Sequence, residues 1–151
     1  MKIFIATDHV GFKLKEELKG YLVGEKHEVI DCGNSIFDPE DDYVEFIIKA
    51  AESTVGNSDS FGVVIGKSGN GEQIAANKVK GVRAALCINT DMATLAREHN
   101  NANILSLGAD FVDLEGAINI VKTFINTQFS NEERHVRRVE KISQYESSKT
   151  L

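Results

Sequence analysis

Cysteine, proline and surplus positive charge are all scarce in this sequence of 151 residues. Its two cysteines, Cys32 and Cys87, stand alone in apolar or strand-like stretches, without the paired spacing of a metal site. They are expected to be buried free thiols in a reducing compartment. The net charge of -6 leaves no broad basic stripe, which argues against a general nucleic-acid binder, because phosphate backbones reward a basic surface. Any phosphorylated ligand must therefore be held by a local cluster of positive groups. The opening segment, Met1 to Asp8, contains only four consecutive apolar residues, too few for a signal peptide or a membrane span. A cytoplasmic chain is expected. The single proline, Pro39, falls in the polar stretch Asp38–Asp42 and interrupts no element. There is no internal repeat, low-complexity tract or linker.

A typical domain runs to roughly 100–200 residues, so residues 1–151 are expected to form one domain. Hydrophobic residues make up 42% of the chain and charged residues 26%, enough apolar content for a real core. Short apolar runs recur at Lys2–Ala6, Glu28–Asp31, Phe61–Ile65, Arg83–Cys87 and Ile104–Leu107. Each is rich in Ile, Val or Leu, as strands buried on both faces should be. Segments of helical periodicity separate them: Phe12–Val23, Tyr43–Val55, Glu72–Lys78 and Thr90–His99. Asp113–Thr127 and a last helix, from about 131 to 146, follow. In the first helix Phe12, Leu14, Leu18, Tyr21 and Leu22 gather near one face, with Lys13, Lys15, Glu16 and Glu17 mostly opposite. Gly24 fits a stop. Strict alternation of this kind predicts a three-layer α/β/α, Rossmann-like fold around a five-stranded parallel sheet. Ligands of such sheets bind beyond the carboxyl ends of the strands.

After the first strand stands Thr7-Asp8-His9-Val10-Gly11. Its acid and imidazole could handle sugar hydroxyls and a phosphate, or Asp8 could cap the next helix while His9 is merely exposed. After the third strand comes Gly66-Lys67-Ser68-Gly69-Asn70-Gly71-Glu72, the most informative segment. Its glycines let the backbone turn sharply and aim several N–H groups into one hollow, which stabilises an anion. The order of residues matches neither a nucleotide P-loop nor the dinucleotide fingerprint. Glu72 directly after the nest places a base beside a hole built for negative charge, the two parts an enediolate intermediate needs. Further on, Arg97-Glu98-His99-Asn100-Asn101-Ala102-Asn103 packs a histidine and three amides together, more than the one Asn of a helix C-cap requires. Arg134 and Arg138 lie four apart and share a helix face. They suit either a phosphate clasp or a solvated basic turn paired with Glu132, Glu133 and Glu140. No Gly-x-Ser-x-Gly elbow is present, which leaves a hydrolase remote.

The segments Ser68–Lys78, Leu95–Ala102 and Arg134–Arg138, together with Asp8-His9, resemble ribose-5-phosphate isomerase type B, a family that also includes galactose-6-phosphate isomerase subunits. The similarity runs in one register from Met1 to about Tyr145. One branch of that family uses a cysteine at the end of the third strand as its proton-transfer base, where this chain has Gly66. The other uses the glutamate of a Gly-Asn-Gly-Glu loop, which corresponds to Glu72, so neither Cys32 nor Cys87 is the missing nucleophile. The resemblance implies interconversion of ribose 5-phosphate and ribulose 5-phosphate, with Glu72, His99, Asp8 and Ser68 in the chemistry. His99 would assist ring opening, and the backbone of 67–71, including Gly69, Asn70 and Gly71, would form the anion hole. His9, Arg134 and Arg138 would hold the phosphate and Asn100 a sugar hydroxyl. A homodimer with shared active sites, alone or as half of a tetramer, is implied, with no metal or organic cofactor and no nucleic acid or membrane partner. Two departures stand out. Asp110 replaces an arginine that helps bind phosphate, and Lys67 stands where the glutamate branch has glycine, so Lys67 is expected to restore the positive charge that Asp110 removes. A six-carbon aldose phosphate as substrate, or a non-catalytic sugar-phosphate-binding protein, are the alternatives.

Overall fold

The computed structural model describes residues 1–150. Five strands, β1 (Lys2–Thr7), β2 (Glu28–Asp31), β3 (Ser60–Gly66), β4 (Ala84–Leu86) and β5 (Ile104–Gly108), alternate with helices α1 (Phe12–Gly24), α2 (Tyr43–Val55), α3 (Asn70–Ala76), α4 (Thr90–Asn100) and α5 (Leu114–Asn126). A final helix, α6, covers Glu133–Ser148. All strand pairings are parallel, in the order β2-β1-β3-β5-β4. The expected three-layer architecture is the one observed.

Successive side chains of a strand point to opposite faces, and the two cores follow from that rule. Ile3, Ile5, Val63, Ile65, Leu105 and Leu107 face α1, α4 and α5, meeting Leu18, Ala93, Ala96, Ile120, Val121 and Phe124. Phe4, Ala6, Val64 and Ile104 face α2 and α3, meeting Ile47, Ala50, Ala51 and Ala76. Each fully buried Ile, Leu or Phe contributes about 1.5–3 kcal/mol of transfer free energy, so both faces hold the sheet. Helix starts are chemically marked: the side chains of Asp42, Asn89 and Asp113 accept hydrogen bonds from Val44, Met92 and Gly116 N–H groups.

Three expectations change. The β2 strand is an edge and only half-buried, because β1 pairs it on one side alone. The fourth strand shrinks to Ala84–Leu86: Arg83 donates its N–H to Asn103 Oδ1 (2.8 Å) and its Nε–H to the Asn100 and Asn101 carbonyls instead. Lys15, expected among the solvent-facing residues of α1, is fully buried. Its ammonium reaches Asp31 Oδ2 and the Asn34 carbonyl, both at 2.6 Å, so the charge is paired where α1 crosses the end of β2.

Candidate active site at the strand ends

The chain leaves β1 toward β2 and leaves β3 in the opposite direction toward β4. The loops above β1 and β3 therefore diverge and open a crevice at the carboxyl ends of these two strands. Thr7 donates its hydroxyl to the Ile65 carbonyl at 2.7 Å and ties the two strand ends together below it. Asp8 and His9 leave from one side of the crevice, and the segment from Gly66 to Glu72 from the other.

Glu72 sits in the first turn of α3 and is only 4% exposed. Burial pushes its carboxyl above the ordinary glutamate range, and the charge of Asp8 adds to the rise, against a hydrogen bond from its own backbone N–H. Gly66 is what admits it. A methyl carbon built on Gly66 would fall 2.0 Å from the Glu72 Cδ and Oε1 atoms. The carboxyl thus fills the space that any side chain at position 66 would claim.

The turn between them is held open by its glycines. Gly69 caps α3 in the left-handed region, φ 79°, and a side chain there would strike the Leu107 carbonyl at 2.9 Å. The Gly69 carbonyl is tied down by the buried Ser106 hydroxyl at 2.6 Å. Ser68 Oγ accepts from the Asn70 N–H at 3.3 Å and from its amide at 3.4 Å. Among the described residues, the N–H groups of Ser68 and Gly69 find no acceptor in the chain, the condition an anion hollow requires.

Across the crevice Asp8 is nearly buried, and its Oδ1 accepts from the Val10 N–H at 3.0 Å. The acid shapes the turn before α1 but does not cap the helix, whose N-cap is Gly11 without a side-chain hydrogen bond. His9 is bound through Nδ1 to Asp41 Oδ1 at 2.8 Å. Tyr43 was not anticipated. Its phenol oxygen lies where a side chain on Gly71 would touch it at 2.8 Å, which brings a hydroxyl against the Glu72 turn. The available signal was its position as first residue of α2, a helix that begins at the same edge of the sheet.

The remaining predicted residues are elsewhere. The α4 helix runs back down the sheet, so His99 and Asn100 at its end lie beside the amino-terminal ends of the strands: Asn103 donates to the Arg83 carbonyl and accepts from the Gly62 N–H. The α6 helix stays along that edge. The Ser130 N–H donates to the Glu98 carbonyl, the His135 ring stacks on His99 at 4.3 Å, and Glu146 accepts from the Gly81 N–H. Arg134 pairs with Glu132 at 2.9 Å, as the solvated reading allowed, while Arg138 is exposed. The seven residues of β3 span roughly 20 Å, with Glu72 beyond its carboxyl end and this second group beside the opposite end. The amide cluster is also partly structural. Asn101 is the left-handed cap of α4 and Asn103 braces Arg83 and Gly81, which leaves Asn100 as the exposed amide.

Both thiols are buried and free, and burial raises both, Cys87 to about 12, so neither is a nucleophile. Lys67 and Asp110 meet at 4.0 Å on the surface of the two loops, where the Asp110 N–H also donates to the Lys67 carbonyl.

A doubly covered parallel sheet, with a buried carboxylate set against a glycine-built turn at its switch point, defines an α/β enzyme of the kind that moves protons next to a carbonyl. Residues 3–142 match the model of the ribose/galactose isomerase family. The chain belongs to that family. It is 45% identical over 146 residues to ribose-5-phosphate isomerase B of Mycolicibacterium paratuberculosis, covering 97% of this chain and 92% of the relative. Its fold superposes with TM-score 0.93 on ribose-5-phosphate isomerase B from Mycoplasma genitalium with bound ribulose-5-phosphate, at 42% identity and 97% coverage of each chain. The enzyme from Clostridium thermocellum superposes equally well, TM-score 0.93, at 44% identity, covering 99% of this chain and all of that one.

Proposed function

We propose that the chain interconverts ribose 5-phosphate and ribulose 5-phosphate through a cis-enediolate, as a homodimer whose active sites each draw on two subunits. The observation that carries the chemistry is Glu72, a buried carboxyl with a raised pKa beside a turn that presents free N–H groups. A base of this kind takes the proton from the second carbon of the open-chain aldose and returns it to the first. The N–H groups of the 67–71 turn, with Ser68, hold the oxyanion that forms between the two transfers. Asp8, on the facing strand end, handles a sugar hydroxyl. A protein that only binds sugar phosphates has no use for a base held above its ordinary range.

The placement of the proposed site residues at opposite ends of the strands supports a second subunit. His99, Asn100, Arg134 and Arg138 serve ring opening and phosphate binding only if another copy brings its strand-start edge to this crevice. Exposed apolar residues support that reading: Met92 and Leu95 precede His99 on α4 at spacings of three and four, one face of the helix, and Ile88 is exposed just before it. We take the chain as a single domain, since both cores share one sheet, and place it in the cytoplasm on the strength of its two unpaired buried thiols. Among the described residues, no helix is long and apolar enough to cross a membrane.

Two experiments test the proposal. Glu72→Gln should lower turnover by several powers of ten while sugar-phosphate binding survives; near-normal turnover rejects the assigned base. Mixing inactive Glu72→Gln with inactive His99→Asn and letting subunits exchange should restore roughly a quarter of full activity. Half the dimers are then mixed, and each mixed dimer holds one site with both groups intact. No recovery, with exchange verified by mass, sinks the shared-site assignment.

A further inference from the structure

His9 is held from several sides by a loop that no role assigned so far explains. Asp41 Oδ1 accepts from both the His9 ring Nδ1, at 2.8 Å, and the His9 backbone N–H, at 2.9 Å. The other carboxylate oxygen, Oδ2, accepts from the Asn34 amide at 2.9 Å. The Asn34 carbonyl in turn accepts from the buried Lys15 ammonium, itself locked to Asp31 at the end of β2. Phe37 closes the arrangement edge-on, its ring 6.4 Å from that of His9 and 5.9 Å from that of Phe12. The Asp41 side chain is only 5% exposed, whereas that of His9 keeps 33% of its surface open. A short polar relay thus runs from the core to a half-open imidazole at the crevice.

We propose that Asp41 is the positioning residue of the phosphate clasp: by taking Nδ1, it leaves Nε2 of a protonated His9 as the ring nitrogen that donates to the substrate's phosphate. The inference rests on the isomerase reading above and adds to it a residue outside the motif segments. A neutral imidazole with Nδ1–H bound to Asp41 would offer Nε2 as an acceptor, which repels a phosphate dianion. The protonated ring offers a donor and a charge. The hydrogen bond to Asp41 is the main influence keeping the ring protonated, with Asp8 and Glu40 helping and partial burial opposing. Asp41 itself stays ionised: burial opposes its charge, but the hydrogen bonds from His9 and Asn34 outweigh that and hold it below the usual carboxylate range. The raised value for His9 fixes the sign. Phosphate affinity is present at low pH and is lost as pH rises through the His9 pKa, and the wild type should keep it to higher pH than a chain without the Asp41 charge.

Asp41→Asn retains the shape and removes the charge. KM for ribose 5-phosphate should rise about tenfold near pH 8, with the loss falling mainly on KM, and the pH at which KM begins to climb should move down. The His9 ring signals, followed by NMR, should titrate at lower pH in the variant. Inorganic phosphate added without any sugar should shift those signals in the wild type and do so more weakly in Asp41→Asn. This last measurement needs no turnover, so it separates failure of the clasp from failure of the isomerase assignment. Unchanged His9 titration together with an unchanged KM profile overturns the proposal. If Asp41→Asn does not fold, Asn34→Ala removes only the relay behind Asp41; a smaller KM rise of the same sign supports the proposal and no change in KM or its pH profile rejects it.

Discussion

Adding a single methyl group at Gly66 should disable the enzyme while leaving the fold intact. Gly66 ends β3 outside the left-handed region, so alanine suits its backbone. The new carbon would sit 2.0 Å from the Glu72 Cδ and Oε1 and 2.2 Å from Oε2. Ordinary contact needs roughly 3.5 Å, so the carboxyl must retreat by about 1.5 Å. It can do so, because the obstacle is the end of a side chain and not backbone. A misplacement near 1 Å in a catalytic group costs on the order of a hundredfold, which corresponds to about 2.7 kcal/mol in the barrier. Steady-state kinetics of Gly66→Ala should therefore show kcat down by about two powers of ten. KM should move little and thermal unfolding should resemble the wild type. A kcat within threefold of wild type, in a folded protein, refutes the argument that the Glu72 carboxyl works from this spot. The resemblance to the cysteine branch extends the test: in a Glu72→Ala background, Gly66→Cys should recover part of the lost turnover, since the thiol grows into the volume that the carboxyl vacates.

Two further outcomes follow from the same geometry. Glu72 has a folded pKa above its unfolded value of about 4.5, so the native state holds that proton more tightly and stability falls as pH rises from there toward the folded value. Urea denaturation of Glu72→Gln should show it more stable than wild type at pH 7 and indistinguishable below pH 4; a wild-type advantage at neutral pH contradicts the assignment. Lys67→Gly should raise KM for the phosphorylated sugar, because it leaves Asp110 as an unpaired negative charge at the crevice rim. The pair is exposed and spans 4.0 Å, so the rise should be a few-fold and shrink in high salt. A KM that stays put means Lys67 does not compensate for Asp110.

Much of the fold was legible because local chemistry and global architecture agree. Apolar strand runs, helical periodicity and the Gly24 stop mark element boundaries within one or two residues of the observed ones. Departures arose where tertiary contacts overrule a local pattern. Lys15 reads as a surface charge by periodicity, yet α1 presses it against the end of β2, where Asp31 and the Asn34 carbonyl replace its water. Asn101 and Asn103 read as part of one dense polar cluster, yet they satisfy backbone and arginine donors that only the folded chain brings near. Asp41 and Tyr43 could not be singled out, because their partners His9 and Gly71 lie 32 and 28 positions away in the chain.

The residues alone determined the chemistry on offer: a parallel α/β sheet, a glycine turn fit for an anion, and an acid placed just after it. Only the three-dimensional arrangement decided where those parts meet. A side chain's reach is a few ångströms, whereas α4 carries His99 to the opposite end of the strands from Glu72. The order of strands and the direction of one helix, neither of them written in any local motif, therefore divide the proposed catalytic set between two edges of the molecule.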